Sequence, residues 1–271
     1  MIFELVRLRL RFRVSETLRF PAGKAGNVLR GGFGMMLRET APDSEYRRIF
    51  AAKLAGGPSG FADAPRPFVI RAAHLDGCTF PPGSELQFDV HLFDLSNDVR
   101  TRVISAFAKL GQTGFGPGRV RATLLVAGQE HVLIDLSATA ESAACVRVRF
   151  VTPTELKGAA RPDFPVLFAR LRDRISMLRA LYGPGPLDIA FRALGERAAA
   201  VRMSRCELIW DLTERRSSRT GETHPIGGFT GEAEYHGDLG EFLPYLRVGE
   251  WTGVGRQTVW GKGMIACQIL I

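Results

Sequence analysis

Two segments of the chain alternate apolar and basic residues one for one. In residues 6–14 every second position is apolar and the positions between them are arginines. The same alternation returns at residues 146–150, where Arg147 and Arg149 occupy the intervening positions. A period of two gives a β-strand one apolar face and one basic face. The return of this signature 140 positions later predicts an internal duplication.

A helical pattern follows each opening strand. Residues 24–38 place Leu29, Phe33 and Leu37 on one face at helical spacing, and residues 164–181 carry a longer apolar stripe. Each pattern predicts a helix that buries one face. Further strands are predicted at 68–73 and 86–93 in the first half, and at 201–212 and 228–235 in the second.

Each half also has signals for a second helix and a closing strand. Asn97 can cap a helix that ends at Gly111, and Asp238 with Glu241 forms a capping-box-like start for another helix. The closing strands are predicted at 120–127 and 264–271. Each half therefore has the order β-α-β-β-α-β, which is the ferredoxin-like plan of a four-stranded antiparallel sheet with two helices on one face.

The fold class is predicted as α+β, with two tandem ferredoxin-like domains of the plan also found in RNA-recognition motifs. A chain of 271 residues that is 45% hydrophobic is long enough for two domains of ordinary size, each with its own core. We place the domains at residues 1–138 and 139–271. The join lies near Thr139, in a polar and alanine-rich stretch.

The segment between the last predicted helix and the closing strand is rich in glycine. Its five glycines within fifteen residues are Gly249, Gly253, Gly255, Gly261 and Gly263. The first half has a shorter copy, because Thr113-Gly114-Phe115-Gly116 corresponds to Thr252-Gly253-Val254-Gly255. Such density indicates positive φ angles or close approach to a partner. Arg256 and Lys262 favour phosphate as that partner, although a lone glycine-rich stretch is more often an ordinary loop.

The chain is basic, with 36 Lys and Arg against 28 Asp and Glu and a formal charge of +8. This balance is typical of proteins that bind nucleic acids, but it does not define them. Basic residues flank both glycine-rich segments and recur in a predicted hairpin at 215–225. Because flexible backbone and cations coincide in these places, we expect phosphate contacts there.

Several kinds of site are not indicated. The four cysteines lie far apart without a Cys-x-x-Cys pair, so neither a zinc site nor a disulfide framework is predicted. No carboxylate cluster resembles a two-metal site, and we predict no metal and no cofactor. Apolar runs fall short of the roughly 18 residues that span a membrane. We therefore expect a soluble, cytoplasmic protein that is a monomer or a homodimer.

Three ordered strings in the second half carry a resemblance to a known family. They are Gly228-Phe-Thr-Gly-Glu-Ala-Glu-Tyr-His-Gly-Asp-Leu, Phe242-Leu-Pro-Tyr-Leu-Arg-Val-Gly-Glu-Trp and Gly253-Val-Gly-Arg-Gln-Thr-Val-Trp-Gly-Lys-Gly. Leu29-Arg-Gly-Gly-Phe-Gly, residues 60–70, residues 152–157 and Arg216-Ser-Ser-Arg fit the same order. Over nearly the whole chain, these segments resemble the CRISPR-associated RAMP endoribonuclease family that processes precursor CRISPR RNA.

The resemblance implies a tandem of two RAMP-type ferredoxin-like folds that binds a hairpin of CRISPR repeat RNA and cuts the strand at its base. Enzymes of this family act without a metal: the ribose 2′-OH attacks the adjacent phosphate and leaves a 2′,3′-cyclic phosphate and a 5′-OH. The implied partners are precursor CRISPR RNA and, beyond it, other subunits of a CRISPR effector complex.

The resemblance also directs attention to particular residues. Lys24, Arg38 and Tyr46 are the catalytic candidates, because they are polar residues on or just after the first helix. The RNA-binding candidates are Arg30, Arg216, Arg219, His224, Gly253, Gly255, Arg256, Gly261, Lys262 and Gly263. Family members commonly have a histidine near the first helix, whereas this chain has no histidine before His74.

Two functions therefore remain open. The strings of the second half favour a sequence-specific endoribonuclease, and the missing histidine favours a non-catalytic RNA-binding subunit of a CRISPR effector complex. An unrelated RNA-recognition-motif protein is disfavoured, because no central strand is rich in aromatic residues for base stacking. Of the other histidines, His224 lies near the expected RNA-facing arginines, whereas His91 is predicted on the polar face of a strand.

Overall fold

The first half forms a four-stranded antiparallel sheet around its opening strand. The computed structural model describes residues 1–50, 64–137, 142–211 and 227–270, together with the backbone of 214–216 and 223–225. The elements of the first half are β1 (Ile2–Val14), β2 (Leu18–Arg19), α1 (Ala25–Thr40), α2 (Asp43–Phe50), β3 (Phe68–Arg71), β4 (Thr79–Phe80), β5 (Glu85–Leu92), α3 (Asn97–Thr113) and β6 (Ala122–Asp135). The strand order is β3-β5-β1-β6, and β2 pairs separately with β4. In residues 6–14 of β1 the apolar side chains are buried and the arginines lie on the opposite face, as the alternation predicts.

The second half repeats this arrangement. Its elements are β7 (Cys145–Thr154), α4 (Phe164–Tyr182), α5 (Phe191–Ala199), β8 (Arg202–Asp211), β9 (Glu214–Arg216), β10 (Thr223–Pro225), β11 (Gly228–His236), α6 (Leu243–Thr252) and β12 (Ile265–Leu270). The sheet order is β12-β7-β11-β8, and β9 pairs with β10 as the predicted hairpin. In both sheets the opening strand is central and the closing strand lies beside it at one edge. This topology confirms the predicted α+β class with two ferredoxin-like folds.

The two glycine-rich segments are equivalent in structure. Gly114 follows α3 with φ 113°, and Gly253 follows α6 with φ 69°. In each helix the N–H of this glycine donates to the carbonyl four residues earlier, which closes the last turn. The apolar residues that come next, Phe115 and Val254, are both fully buried. The predicted duplication is therefore visible in the backbone as well as in the sequence.

Two predicted helix starts are wrong in detail. Asn97 lies inside α3, whose N-cap is Ser96, and no side chain caps this helix. Asp238 and Glu241 form no capping box, because a 3-10 turn at 240–242 precedes α6 and Glu241 pairs instead with Arg197. Short polar side chains indicate a helix start within a few residues, but other elements compete for their hydrogen bonds.

Gly111 does not end α3 as predicted. It lies within the helix, and a β-carbon there would approach the Ala122 carbonyl oxygen to 2.5 Å and the Phe12 ring to 3.0 Å. The glycine is therefore needed where α3 packs against the sheet, and the helix continues to Thr113.

Two hydrophobic cores fill the space between helices and sheets. One lies under α1 and α3, and the other under α4 and α6. Phe3, Leu5, Val69 and Phe93 come from the first half but pack into the second core. The two folds therefore share apolar packing across their boundary. Thr139 lies outside the described residues, so the boundary at 138/139 stays a prediction.

Among the described residues, no helix is both long enough and apolar enough to cross a membrane. All four cysteines are free and partly exposed.

Candidate RNA-binding site

The glycine-rich loop, residues 253–263, lies against the start of α1 and so joins the two halves. A β-carbon at Gly26 of α1 would lie 2.4 Å from the Trp260 carbonyl oxygen, which shows how closely the two backbones approach. The Lys262 ammonium donates to the Gly23 carbonyl at 3.3 Å. The glycine-rich loop and α1, both of which carry residues predicted to bind RNA, therefore form one continuous surface.

The start of α1 is held by an aspartate from a distant segment. Asp76 accepts a hydrogen bond from the backbone N–H of Ala25 at 2.7 Å, whereas the N-cap residue Lys24 makes no side-chain cap. Burial raises the pKa of Asp76, while the bond from Ala25 and the charge of Lys262 oppose this rise. Because the cap comes from 51 positions along the chain, no local sequence signal could have identified it.

Lys262 has a different environment from the one expected of a phosphate ligand. Its side chain is buried, and burial lowers the pKa of its ammonium against the opposing charges of Asp76 and Asp211. Lys262 thus ties the end of the loop to the first half. Its direct contact with RNA stays a prediction.

Arg256, the other cation of the loop, is on the surface. Its side chain is 59% exposed and its guanidinium lies 2.8 Å from a carboxylate oxygen of Glu155. The backbone N–H of Arg256 also donates to the Glu155 carbonyl at 3.0 Å. An RNA phosphate at this position would compete with the Glu155 carboxylate for the guanidinium.

Cations and aromatic rings form a continuous row along one side of α1. The Arg38 guanidinium lies 5.2 Å from the centre of the Tyr46 ring, and Tyr46 stacks on Phe50 at 5.6 Å. The Arg30 guanidinium lies 4.5 Å from the Phe50 ring and 3.8 Å from the Trp260 ring. We call these five residues the cation–aromatic row. It links three sequence-predicted residues to the glycine-rich loop, and Phe50 and Trp260 are the members that the sequence did not indicate.

The three catalytic candidates do not form one cluster. Lys24 is exposed at the beginning of α1, whereas Arg38 and Tyr46 lie together at its other end. The 14 positions between Lys24 and Arg38 correspond to a rise of about 21 Å along a helix. One phosphate is too small to contact both ends.

The arginines of the opening strands are largely paired with acids of neighbouring strands. The shortest guanidinium–carboxylate distances are 2.6 Å for Arg7 with Asp89, 2.8 Å for Arg13 with Glu85 and 2.7 Å for Arg147 with Glu234. These faces are therefore less positive than the sequence alone suggests.

The remaining candidates lie in the hairpin after β8. Arg216 and His224 fall in the paired strands β9 and β10, with Arg216 opposite Thr223 and His224 opposite Arg215. Arg219 lies outside the described residues. Among the described residues, no group of three or more His, Cys, Asp or Glu side chains is placed to hold a metal ion.

Comparison with protein families finds two matches that together span most of the chain. Residues 148–265 match the model of the CRISPR-associated endoribonuclease Cas6, and residues 3–134 match a model described as an N-terminal domain. No curated protein matches the chain in sequence.

Solved structures share the whole fold. A product complex of the Thermus thermophilus Cas6 protein TTHB231 has a TM-score of 0.62 at 16% identity, covering 98% of this chain and 100% of that one. A product complex of Cas6 TTHA0078 has a TM-score of 0.56 at 21% identity, covering 99% and 100%. A partial Cas6-RT-Cas1–Cas2 complex has a TM-score of 0.58 at 12% identity, covering 99% of this chain and 46% of that one. At these identities the likeness establishes the fold.

Proposed function

We propose that this protein, whose residues 148–265 match the Cas6 family of CRISPR-associated endoribonucleases, cuts precursor CRISPR RNA within its repeats without a metal. The observation that carries the proposal is the docking of the glycine-rich loop on α1, which brings backbone N–H groups, the exposed cations Lys24 and Arg256, and part-exposed rings into one surface. Such a surface suits a single RNA strand, because cations contact phosphates and flat side chains stack on bases.

The proposed reaction is attack of a ribose 2′-oxygen on the adjacent phosphorus. The new P–O bond forms as the bond to the 5′-oxygen of the next nucleotide breaks, which gives a 2′,3′-cyclic phosphate and a 5′-OH. The 2′-OH loses one proton and the leaving 5′-oxygen gains one, so the reaction is balanced. Such a reaction needs an in-line arrangement, groups that exchange protons, and cations that stabilise the charged phosphorane.

We assign these tasks to the two ends of α1. Tyr46 is the only one of the three catalytic candidates with a hydroxyl, and Arg38 beside it supplies positive charge. We therefore propose that the scissile phosphate lies at this end. Lys24 is adjacent to Gly23, which binds Lys262 of the loop, so we propose that Lys24 helps the loop to hold the strand.

The endoribonuclease proposal is tested by incubating the protein with its repeat RNA in excess EDTA. We expect one cut that leaves a 2′,3′-cyclic phosphate. Tyr46→Phe should lower the single-turnover rate by about 100-fold or more, the usual range for a lost proton-transfer group, with little change in RNA affinity. Tyr245→Phe, which alters a buried tyrosine of the second core, is the matched control.

Tight RNA binding without cleavage would reject this proposal and favour the alternative, a non-catalytic RNA-binding subunit. The absence of a histidine before His74 supports that alternative.

For either function we propose CRISPR repeat RNA as the partner. Because one structural relative is part of a complex with Cas1–Cas2, other CRISPR proteins are proposed as further partners.

Arg256→Ala is expected to weaken RNA binding in a salt-dependent way. Removal of one phosphate contact should make the slope of log K against log salt concentration shallower by about 0.7 to 0.9. Glu155→Gln should strengthen binding, because it releases Arg256 from its ion pair. Titration of RNA at several salt concentrations measures both effects. Arg13→Ala is the control, because Arg13 is paired with Glu85 on the face of β1 that points away from the core. An unchanged slope for Arg256→Ala would mean that this residue is only structural.

A further inference from the structure

The C-terminal end of α6, which leads directly into the glycine-rich loop, is bound by side chains of the first half. The Arg71 guanidinium on β3 donates to the carbonyl oxygens of Glu250 at 2.6 Å and Trp251 at 2.8 Å. His91 on β5 donates from Nδ1 to the same Trp251 oxygen at 2.9 Å, and its ring lies 4.9 Å from the Trp251 ring. We call Arg71 and His91 the carbonyl clamp.

A third side chain completes the end of the helix from within the second half. Arg174 on α4 donates to the Thr252 carbonyl at 3.2 Å. The last carbonyls of a helix have no partner within the helix, and the helix dipole makes them attractive to cations. Three consecutive carbonyls of α6 thus obtain partners from β3, β5 and α4.

The clamp residues are buried at the boundary between the two halves. Arg71 is 8% exposed and His91 is 6% exposed. Burial, together with the nearby charge of Arg174, lowers the pKa of Arg71 to about 9, and the charge of Glu250 opposes this shift. Among the described residues, no carboxylate lies within ion-pair distance of Arg71. Burial of a guanidinium is costly, and here the carbonyls of α6 offset part of that cost.

The surroundings of His91 favour its neutral form. Burial lowers its pKa to about 3, and the charges of Arg71 and Arg7 act in the same direction. Since a carbonyl oxygen only accepts hydrogen bonds, the proton of the neutral ring is on Nδ1. The sequence placed His91 on the polar face of β5, which is correct, but the second half covers that face at this point.

The clamp lies directly beside the start of the glycine-rich loop. Gly253 follows Thr252 directly, so the first residues of the loop are set by the position of the α6 end. The other end of the loop is tied to the first half by Lys262. A loop held at both ends loses less conformational freedom when it binds a ligand, which improves affinity.

We propose that Arg71 and His91 are positioning residues for RNA: they hold the glycine-rich loop against α1 without contacting the RNA themselves. This inference rests on the proposed RNA-binding role of the loop. Because both side chains are buried, they act through the carbonyls of α6 and not through the ligand.

The first test uses the full chain without RNA, so it does not depend on the proposed function. In Arg71→Met, hydrogen exchange should become faster in peptides that cover residues 253–263, whereas peptides from α4 should be unchanged. Arg71→Lys should restore much of the protection, because an ammonium also donates to carbonyls. Arg13→Met is the control for loss of a cation from the same domain. Unchanged exchange in the loop of Arg71→Met would overturn the proposal.

The second test measures RNA binding. Arg71→Met should raise the Kd for repeat RNA by about tenfold, the effect expected when hydrogen bonds from a charged donor are lost. The cleavage rate at saturating RNA should be nearly unchanged, because the loop holds the strand and does not react. His91→Phe keeps a ring beside Trp251 but removes one hydrogen-bond donor, so it should also raise the Kd for repeat RNA, by a smaller factor. This variant provides the test if Arg71→Met fails to fold. If hydrogen exchange in the loop became faster but the Kd were unchanged, Arg71 and His91 would still hold the loop, and the role of the loop in RNA binding would be rejected.

Discussion

Gly26→Ala is expected to weaken RNA binding by at least tenfold, because the new methyl group would push the glycine-rich loop away from α1. The β-carbon would lie 2.4 Å from the Trp260 carbonyl oxygen and 3.0 Å from its carbonyl carbon. Both atoms are backbone, so relief requires movement of the loop or of the helix. Gly26 has ordinary helical backbone geometry, so without this clash alanine would stabilise the helix. The Kd for repeat RNA and hydrogen exchange in residues 253–263 measure the effect.

Gly31→Ala is the matched control in the same helix. No atom lies within 4 Å of a β-carbon at Gly31, so alanine should leave RNA binding intact and raise the free energy of unfolding by up to about 1 kcal/mol. If Gly26→Ala bound RNA as well as Gly31→Ala does, close contact between the loop and α1 would not matter for RNA binding.

Phe33→Ala is expected to lower the free energy of unfolding of the first half by about 3 to 5 kcal/mol. The Phe33 ring is fully buried. It stacks on Phe107 at 4.8 Å and meets the edge of Phe68 at 5.2 Å, so its loss opens a cavity in the middle of the core. This loss is a large share of the roughly 5 to 15 kcal/mol that stabilises a typical domain.

Urea unfolding followed by circular dichroism measures this change. Met35→Ala is the control on the same helix, because Met35 is 52% exposed and its truncation should change the free energy of unfolding by less than about 0.5 kcal/mol. Since Phe33 lies on the helix that carries the proposed site, RNA cleavage should also fail at a lower urea concentration. A loss below about 1 kcal/mol would contradict the central place of Phe33 in the core.

Regular patterns in the sequence predicted the fold well. The alternation in residues 6–14 predicted β1, and the apolar spacing in residues 24–38 predicted α1, because each pattern records which face is buried. Helix starts were less predictable. Asn97 and Asp238 are suitable capping residues, yet neither caps a helix here, since propensity alone does not decide which group takes a hydrogen bond.

The candidate site was only partly predictable. Arg30, Arg38 and Tyr46 were nominated from their place in the sequence, and the structure brings them into one row with Phe50 and Trp260. The predicted helix over residues 24–38 already implied that Lys24 and Arg38 lie at its opposite ends, and the structure confirms this separation. Asp76 had no signal at all, because aspartate is common on surfaces and its partner Ala25 is far away in the chain.

By itself, the sequence determined the duplicated plan of strands and helices, the basic character of the protein and the glycine-rich loop. Periodicity and composition are local properties, and they suffice for these features. Only the tertiary structure decided that the loop docks on α1, that Lys262 is buried, and that Arg71 and His91 bind the end of α6. These contacts join residues 160 to 239 positions apart, so they depend on how the two sheets pack together. Whether a cation meets RNA, a carboxylate or a helix end is settled by that packing and not by its neighbours in the chain.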